Sequence, residues 1–190
     1  MNNFVPNYEK ILDVLQQVEV KINFLNQKRK PKLSDIELIA MDLTSEYMSI
    51  DSEHQLFRSL PVILSSKIER SVYNRRKRNL FYYREELRKK LVNQIGSSDY
   101  FIVDSMPLEV CKLSRSSRSK ICKEDYQTAP NKGYCSSQKS SYYGYKLHAV
   151  FSIEGVFNSF DLSEASLHDI HYLKDIKSNY TNCTILGVKC

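Results

Sequence analysis

Asp104 is the residue of this chain best placed to do chemistry. It ends an apolar, β-branched run, Tyr100-Phe-Ile-Val-Asp104, and Ser105-Met-Pro107 follows it. With Phe101 to Val103 buried, a carboxylate beside them is costly unless something compensates its charge. The residues alone allow two readings. Asp104 is a Mg²⁺ ligand of a phosphoryl-transfer site, or it accepts from loop amides and caps a turn with Ser105. Pro107 is expected to limit how far the strand continues inside a sheet.

Three other groups could carry chemistry. Lys146 and His148 alternate on a strand-like run and so share one face. There they flank a phosphate, orient a carboxylate, or form the exposed polar side of a half-buried strand. His168-Asp-Ile-His171 has the i, i+3 spacing of a metal pair, but no third ligand stands near in sequence, so hydrogen bonding at a helix entry is the simpler reading. Ser105 lacks the G-x-S-x-G context of a nucleophile. Cys111, Cys122 and Cys135 match no zinc template in their spacing. With an odd total of five cysteines and no secretory segment near Met1, free thiols are expected.

The basic residues are clustered. From Arg70 to Lys90 there are nine Lys or Arg against only Glu85 and Glu86, while the whole chain of 190 residues carries a net charge of +6. Tyr73, Phe81, Tyr82 and Tyr83 are interleaved. On a helix this reads as a face for phosphates, with aromatics either in the core or stacked on bases, or as a solvated helix whose Arg stems cover apolar surface. Arg70, Arg75, Arg76, Lys77, Arg78 and Arg84 are the DNA-binding candidates here. Lys112, Arg115 and Arg118, in a Ser-rich stretch from about 112 to 141, and Lys146 complete the set. That stretch is expected to be one long polar connection, of the kind that is functional or disordered.

Periodicity supplies the elements that must hold these groups. Residues 1–95 read as helical. Ile11, Leu12, Leu15, Val18, Ile22 and Leu25 predict a helix over Tyr8 to Leu25. Ser34-Asp-Ile-Glu37 has the form of a capping box and opens a helix with Ile36, Ile39, Ala40, Leu43 and Tyr47 on one side. A short helix over Ser52 to Leu60 ends at Pro61, and a longer one runs from about Ser66 to Ile95 with a break near Asn79. Gly96-Ser-Ser98 marks the boundary between domains 1–95 and 96–190. Beyond it the order is strand, loop, strand (Tyr142 to Phe151), strand (Val156 to Leu162, after a turn at Glu154-Gly155), helix (Asp169 to Ile176) and strand (Thr184 to Val188). No window is long and apolar enough to span a membrane. The fold class expected is α+β: a helical N-terminal domain, then an α/β domain with a mixed sheet.

Three stretches, Val103-Asp104-Ser-Met-Pro107-Leu-Glu-Val-Cys111, Tyr142-Tyr-Gly144-Tyr-Lys146-Leu-His148 and Leu162-Ser-Glu-Ala165-Ser-Leu-His168-Asp169, resemble in their order and spacing the DDE transposases of bacterial insertion sequences. The resemblance implies an RNase H-like catalytic domain behind a helical DNA-binding region. In that family three carboxylates hold two Mg²⁺ ions for in-line attack at a DNA phosphodiester. Asp104 falls on the first carboxylate. The second is expected where Ile185-Leu-Gly187-Val188 has Val188, and the third on a helix beyond Cys190. The resemblance therefore implies an incomplete RNase H-like domain in a truncated copy. It would lie in the bacterial cytoplasm at the nucleoid and hold Mg²⁺ poorly. Its partners would be DNA, at the inverted-repeat ends of the element, and other copies of itself. A non-catalytic protein that competes with intact transposase at those ends is the alternative. An uncovered sheet face and an open edge are expected to follow from the missing elements.

Overall fold

The computed structural model describes residues 3–96, 98–125 and 128–187. The chain divides into two compact units, Met1–Ile95 and Gly96–Cys190.

The first unit is helical: α1 (Phe4–Val18), α2 (Asp35–Tyr47), α3 (Glu53–Ser59), α4 (Val62–Ser65), α5 (Arg70–Asn79) and α6 (Phe81–Ile95). Helix α2 is its centre. Ile36, Leu38, Ile39, Ala40 and Met41 are all buried, among Phe4 and Leu15 of α1, Leu56 of α3, Leu64 of α4, Tyr73 of α5 and Leu87 of α6. The capping box forms as its residues dictate. The Ser34 side chain accepts from Glu37 N, and Glu37 accepts from Ser34 N at 2.7 Å. Ser52 caps α3 through Gln55 N. Leu80, between α5 and α6, keeps helical dihedrals and donates its N–H to Arg76 O, so the break near Asn79 is slight.

Two expectations fail in this unit. Helix α1 stops at Val18 instead of reaching Leu25. The residues after it turn back onto the start of α2, where Asp35 Oδ2 accepts from the N–H groups of both Phe24 and Leu25 at 2.8 Å. A buried carboxylate outcompetes about two more helical turns for those donors. Tyr47, placed on the apolar side of α2, is exposed, since it ends the helix beyond its packed portion.

The second unit is a mixed five-stranded sheet with one helix, α7 (Asp169–Ile176), against it. Its strands are β1 (Tyr100–Cys111), β2 (Asn131–Cys135), β3 (Ser140–Ser152), β4 (Phe157–Glu164) and β5 (Thr184–Gly187). Strand β3 is the spine. One side pairs antiparallel with β1, and the other with β2 and then β4. Strand β5 lies parallel to the start of β1, from Tyr100↔Thr184 to Val103↔Gly187. Gly155 (φ +84°) turns the chain between β3 and β4, a conformation that costs glycine little. Phe101 and Val103 of β1 and Val150 of β3 face Tyr172 and Ile176 of α7 to form the core. The opposite face is not covered by α7. It carries Met106, Leu108, Phe160, Leu162 and Leu186, all exposed.

Two expectations need correction here. Strand β1 does not stop near Pro107 but continues to Cys111, with Pro107 opposite Lys146. Among the described residues the ladder to β5 reaches only to Val103, four residues short of Pro107, so β1 needs no donor to β5 there and proline is tolerated. The stretch 112–141 is not one loop: β2 lies inside it, a short edge strand whose polar Asn131-Lys-Gly-Tyr-Cys135 gives no apolar alternation to read.

Candidate functional site

Asp104 stands one residue past the last β1–β5 pair, Val103↔Gly187, and opposite Ala149 of β3. Strand alternation sets it on the face away from Phe101, Val103 and α7. A small cavity of about 50 Å³ on the α7 side, lined by His148, Asp169, Tyr172 and Leu173, also touches Asp104 and Gly187. Its carboxylate is not enclosed by water-excluding neighbours as the apolar run suggests. Asp104 is exposed, and Oδ1 accepts from Ser105 N at 2.8 Å. Phe101 and Val103 are buried on the other face, so their burial does not extend to it. Val188, the expected second acidic position, lies outside the described residues.

The α7 face holds a second polar cluster. Lys146 Nζ donates to Asp169 Oδ1 at 2.9 Å and to Leu167 O at 2.6 Å, fixing the entry of α7 to β3. Of the three roles open to Lys146, it orients a carboxylate. Burial pushes the Asp169 carboxyl up, but Lys146 and then Ser105 outweigh this and hold it below the usual range. Asp169 thereby ties together α7, β3 and the β1 residue next to Asp104. Sequence reading missed Asp169; its signal was its place at the start of a helix after His168. His168 does act at the helix entry, accepting from Ile170 N at 3.3 Å, while His171 is exposed.

His148 is not on an exposed polar face. Only 2% of it is accessible, its ring stacks on Tyr172 with centroids 4.4 Å apart, and Nε2 lies 2.8 Å from Ser163 Oγ. Burial pushes its pKa below the ordinary value, with the Asp169 charge opposing. A histidine depressed in the folded state adds stability that is complete above its unfolded pKa of about 6.5. That stability drains away as pH falls from there through the folded value. The thermal midpoint of the second unit is therefore expected to fall as pH is lowered from neutrality toward 5. His148→Gln should show a smaller fall, and an equal fall in both proteins would contradict the assignment.

Residues 96–189 match the family model described as the transposase DDE domain. Through this second unit the chain belongs to the DDE transposases. No curated protein and no solved structure matched the chain.

DDE transposases work with Mg²⁺. No group of three or more His, Cys, Asp or Glu among them could hold a metal ion. Asp169 is engaged by Lys146 at the start of α7. Asp104 is free of such an ion pair among the described residues and follows the last described pair between β1 and β5.

In the helical unit of this transposase-family chain, the basic run splits in two. Arg76, Lys77 and Arg84 turn inward onto two wholly buried acids of α2. Arg76 Nη2 is 2.6 Å from Asp35 Oδ1, Lys77 Nζ 2.7 Å from Asp42 Oδ1, and Arg84 Nη1 2.6 Å from Asp42 Oδ2. The Tyr73 hydroxyl donates to Asp42 Oδ1 at 2.7 Å, and burial followed by that charge pushes the phenol pKa well up. Asp35 and Asp42 are seven residues apart, hence on one side of α2. That spacing, in a helix that also buries Ile36, Ile39 and Met41, was the readable sign of an internal clamp. Arg70 lies 4.0 Å from Glu53 at the surface. Arg75 and Arg78 are exposed. In the DDE unit, Lys112, Arg115 and Arg118 are exposed too, around the short 3₁₀ turn at Leu113–Arg115.

Proposed function

We propose that this chain acts in DNA transposition as a DNA-binding protein. Its second unit belongs to an RNase H-like catalytic domain, and Asp104 is the first of that domain's acids. The observation that carries this reading is the register: the parallel ladder pairs Val103 with Gly187, so Asp104 follows directly on the last described pair between β1 and β5. DNA contact falls to the basic side chains left at the surface, Arg70, Arg75 and Arg78 in the first unit and Lys112, Arg115 and Arg118 in the second, since Arg76, Lys77, Arg84 and Lys146 are engaged internally.

Taken alone, the 190-residue polypeptide holds DNA without cutting or joining it. Mg²⁺ binds to protein through convergent carboxylates and substrate phosphates, and a single exposed aspartate does not fix two ions. On this reading the chain occupies the inverted-repeat ends in competition with intact transposase. The test is an assay of Mg²⁺- or Mn²⁺-dependent nicking on a plasmid carrying the terminal repeats. Binding without nicking is expected. Robust nicking that disappears in Asp104→Ala would refute the non-catalytic part of the reading, and absence of any DNA binding would refute the rest.

A further inference from the structure

The inward turn of Arg76, Lys77 and Arg84 leaves a distinct outer face on α5 and α6. Ser71, Arg75 and Arg78 follow one another at spacings of four and three, which puts them on one side of α5, and all three are exposed. No ion pair among the described residues engages Arg75 or Arg78, whereas Arg76, Lys77 and Arg84 are neutralised by Asp35 and Asp42. Phe81 and Tyr82 open α6 directly after this stripe, 71% and 65% accessible. Two large aromatics this exposed beside unpaired arginines have no packing role. Tyr82 is also propped from behind. Its ring meets Tyr83 edge-on at 5.9 Å, and Tyr83 stacks on Phe24 at 5.1 Å. Its hydroxyl is held by Glu86. The chain of rings fixes Tyr82 and leaves its outer side to solvent.

We propose that Arg75, Arg78, Phe81 and Tyr82 form a stacking platform for unpaired DNA bases. Two guanidinium groups hold the phosphates, and the rings take the faces of bases released from the helix. A base inside a duplex offers only its edge to a protein, whereas an unpaired base offers its whole face, so the aromatics favour single-stranded or unstacked DNA over intact duplex. The inference rests on DNA binding by the chain and adds the form of DNA that the first unit selects.

Fluorescence anisotropy of the full chain with a labelled mixed-sequence single strand, and with the same strand in duplex, tests it. Phe81→Ala/Tyr82→Ala is expected to weaken single-strand binding about tenfold or more and duplex binding far less. Phe81→Trp/Tyr82→Trp should retain it. Arg75→Gln/Arg78→Gln should lower the salt dependence on the single strand by about 1.4 in log–log slope, from two contacts at about 0.7 each. All of these side chains are exposed, and circular dichroism checks that the fold is kept. If the alanine variant binds single strand as the parent does, or loses both DNA forms equally, the platform is refuted while DNA binding stands. If the parent binds neither form, the function proposed above fails with it.

Discussion

Gly144→Ala is expected to unfold the second unit. Gly144 lies in Tyr-Gly-Tyr on β3, paired with Glu109 where the β1 ladder shifts register between Glu109 and Cys111. A Cβ there would lie 2.0 Å from Leu108 O and 2.9 Å from Val110 N. Both are backbone atoms of the neighbouring strand, so no side-chain rotation relieves the clash. The strands must part, and the β1–β3 ladder is the one that carries Asp104. Overpacking of a core commonly costs about 1–3 kcal/mol. A backbone collision this close belongs at or beyond the upper end, a large share of the roughly 5–15 kcal/mol that holds a domain together. Denaturant unfolding of the second unit should show a loss of about 3 kcal/mol or more. A midpoint like the parent's would mean that β3 does not approach β1 in this register.

In the first unit the largest effect should come from Asp42→Ala. The substitution leaves Lys77, Arg84 and the Tyr73 hydroxyl directed at a wholly buried site with no acceptor. Removing one partner of a buried ion pair costs about 3–5 kcal/mol, because the other charge remains desolvated. Arg75→Gln, on the exposed side of α5, should change stability by no more than about 0.5 kcal/mol. The two variants separate the inward half of the basic run, Lys77 and Arg84, from its outward half, which looks the same in the sequence. Equal small effects at both would place Lys77 and Arg84 in solvent and return them to the pool of DNA contacts.

Much of the architecture was legible because it rests on local rules. The capping box at Ser34, the turn at Glu154-Gly155 and the helix from Asp169 to Ile176 are each specified by a few neighbouring residues, and each appears where those residues put it. The failures share a cause in contacts distant along the chain. The end of α1 is set by Asp35, more than a dozen residues later. The persistence of β1 through Pro107 depends on its pairing with β5, some eighty residues later, which among the described residues reaches only to Val103. Strand β2 is made by its pairing with β3 and not by its own polar residues.

The candidate site divides the same way. Asp104 could be singled out from its position after an apolar run, but its exposure could not, because alternation assigns it to the face that α7 leaves uncovered. The shared face of Lys146 and His148 was readable. That one clamps Asp169 and the other is buried against Tyr172 required the placement of α7. The charge of the run from Arg70 to Lys90 was plain, yet its division into a structural half and a surface half followed only from the two aspartates of α2.

The most direct test of the account is the metal-dependent nicking of terminal-repeat DNA by the purified 190-residue protein, measured beside Asp104→Ala. The account predicts that both proteins bind the DNA and that neither yields nicked product above the level of metal alone. Product made by the parent and abolished in Asp104→Ala would contradict it, by showing that the acids needed beside Asp104 are already present in this chain.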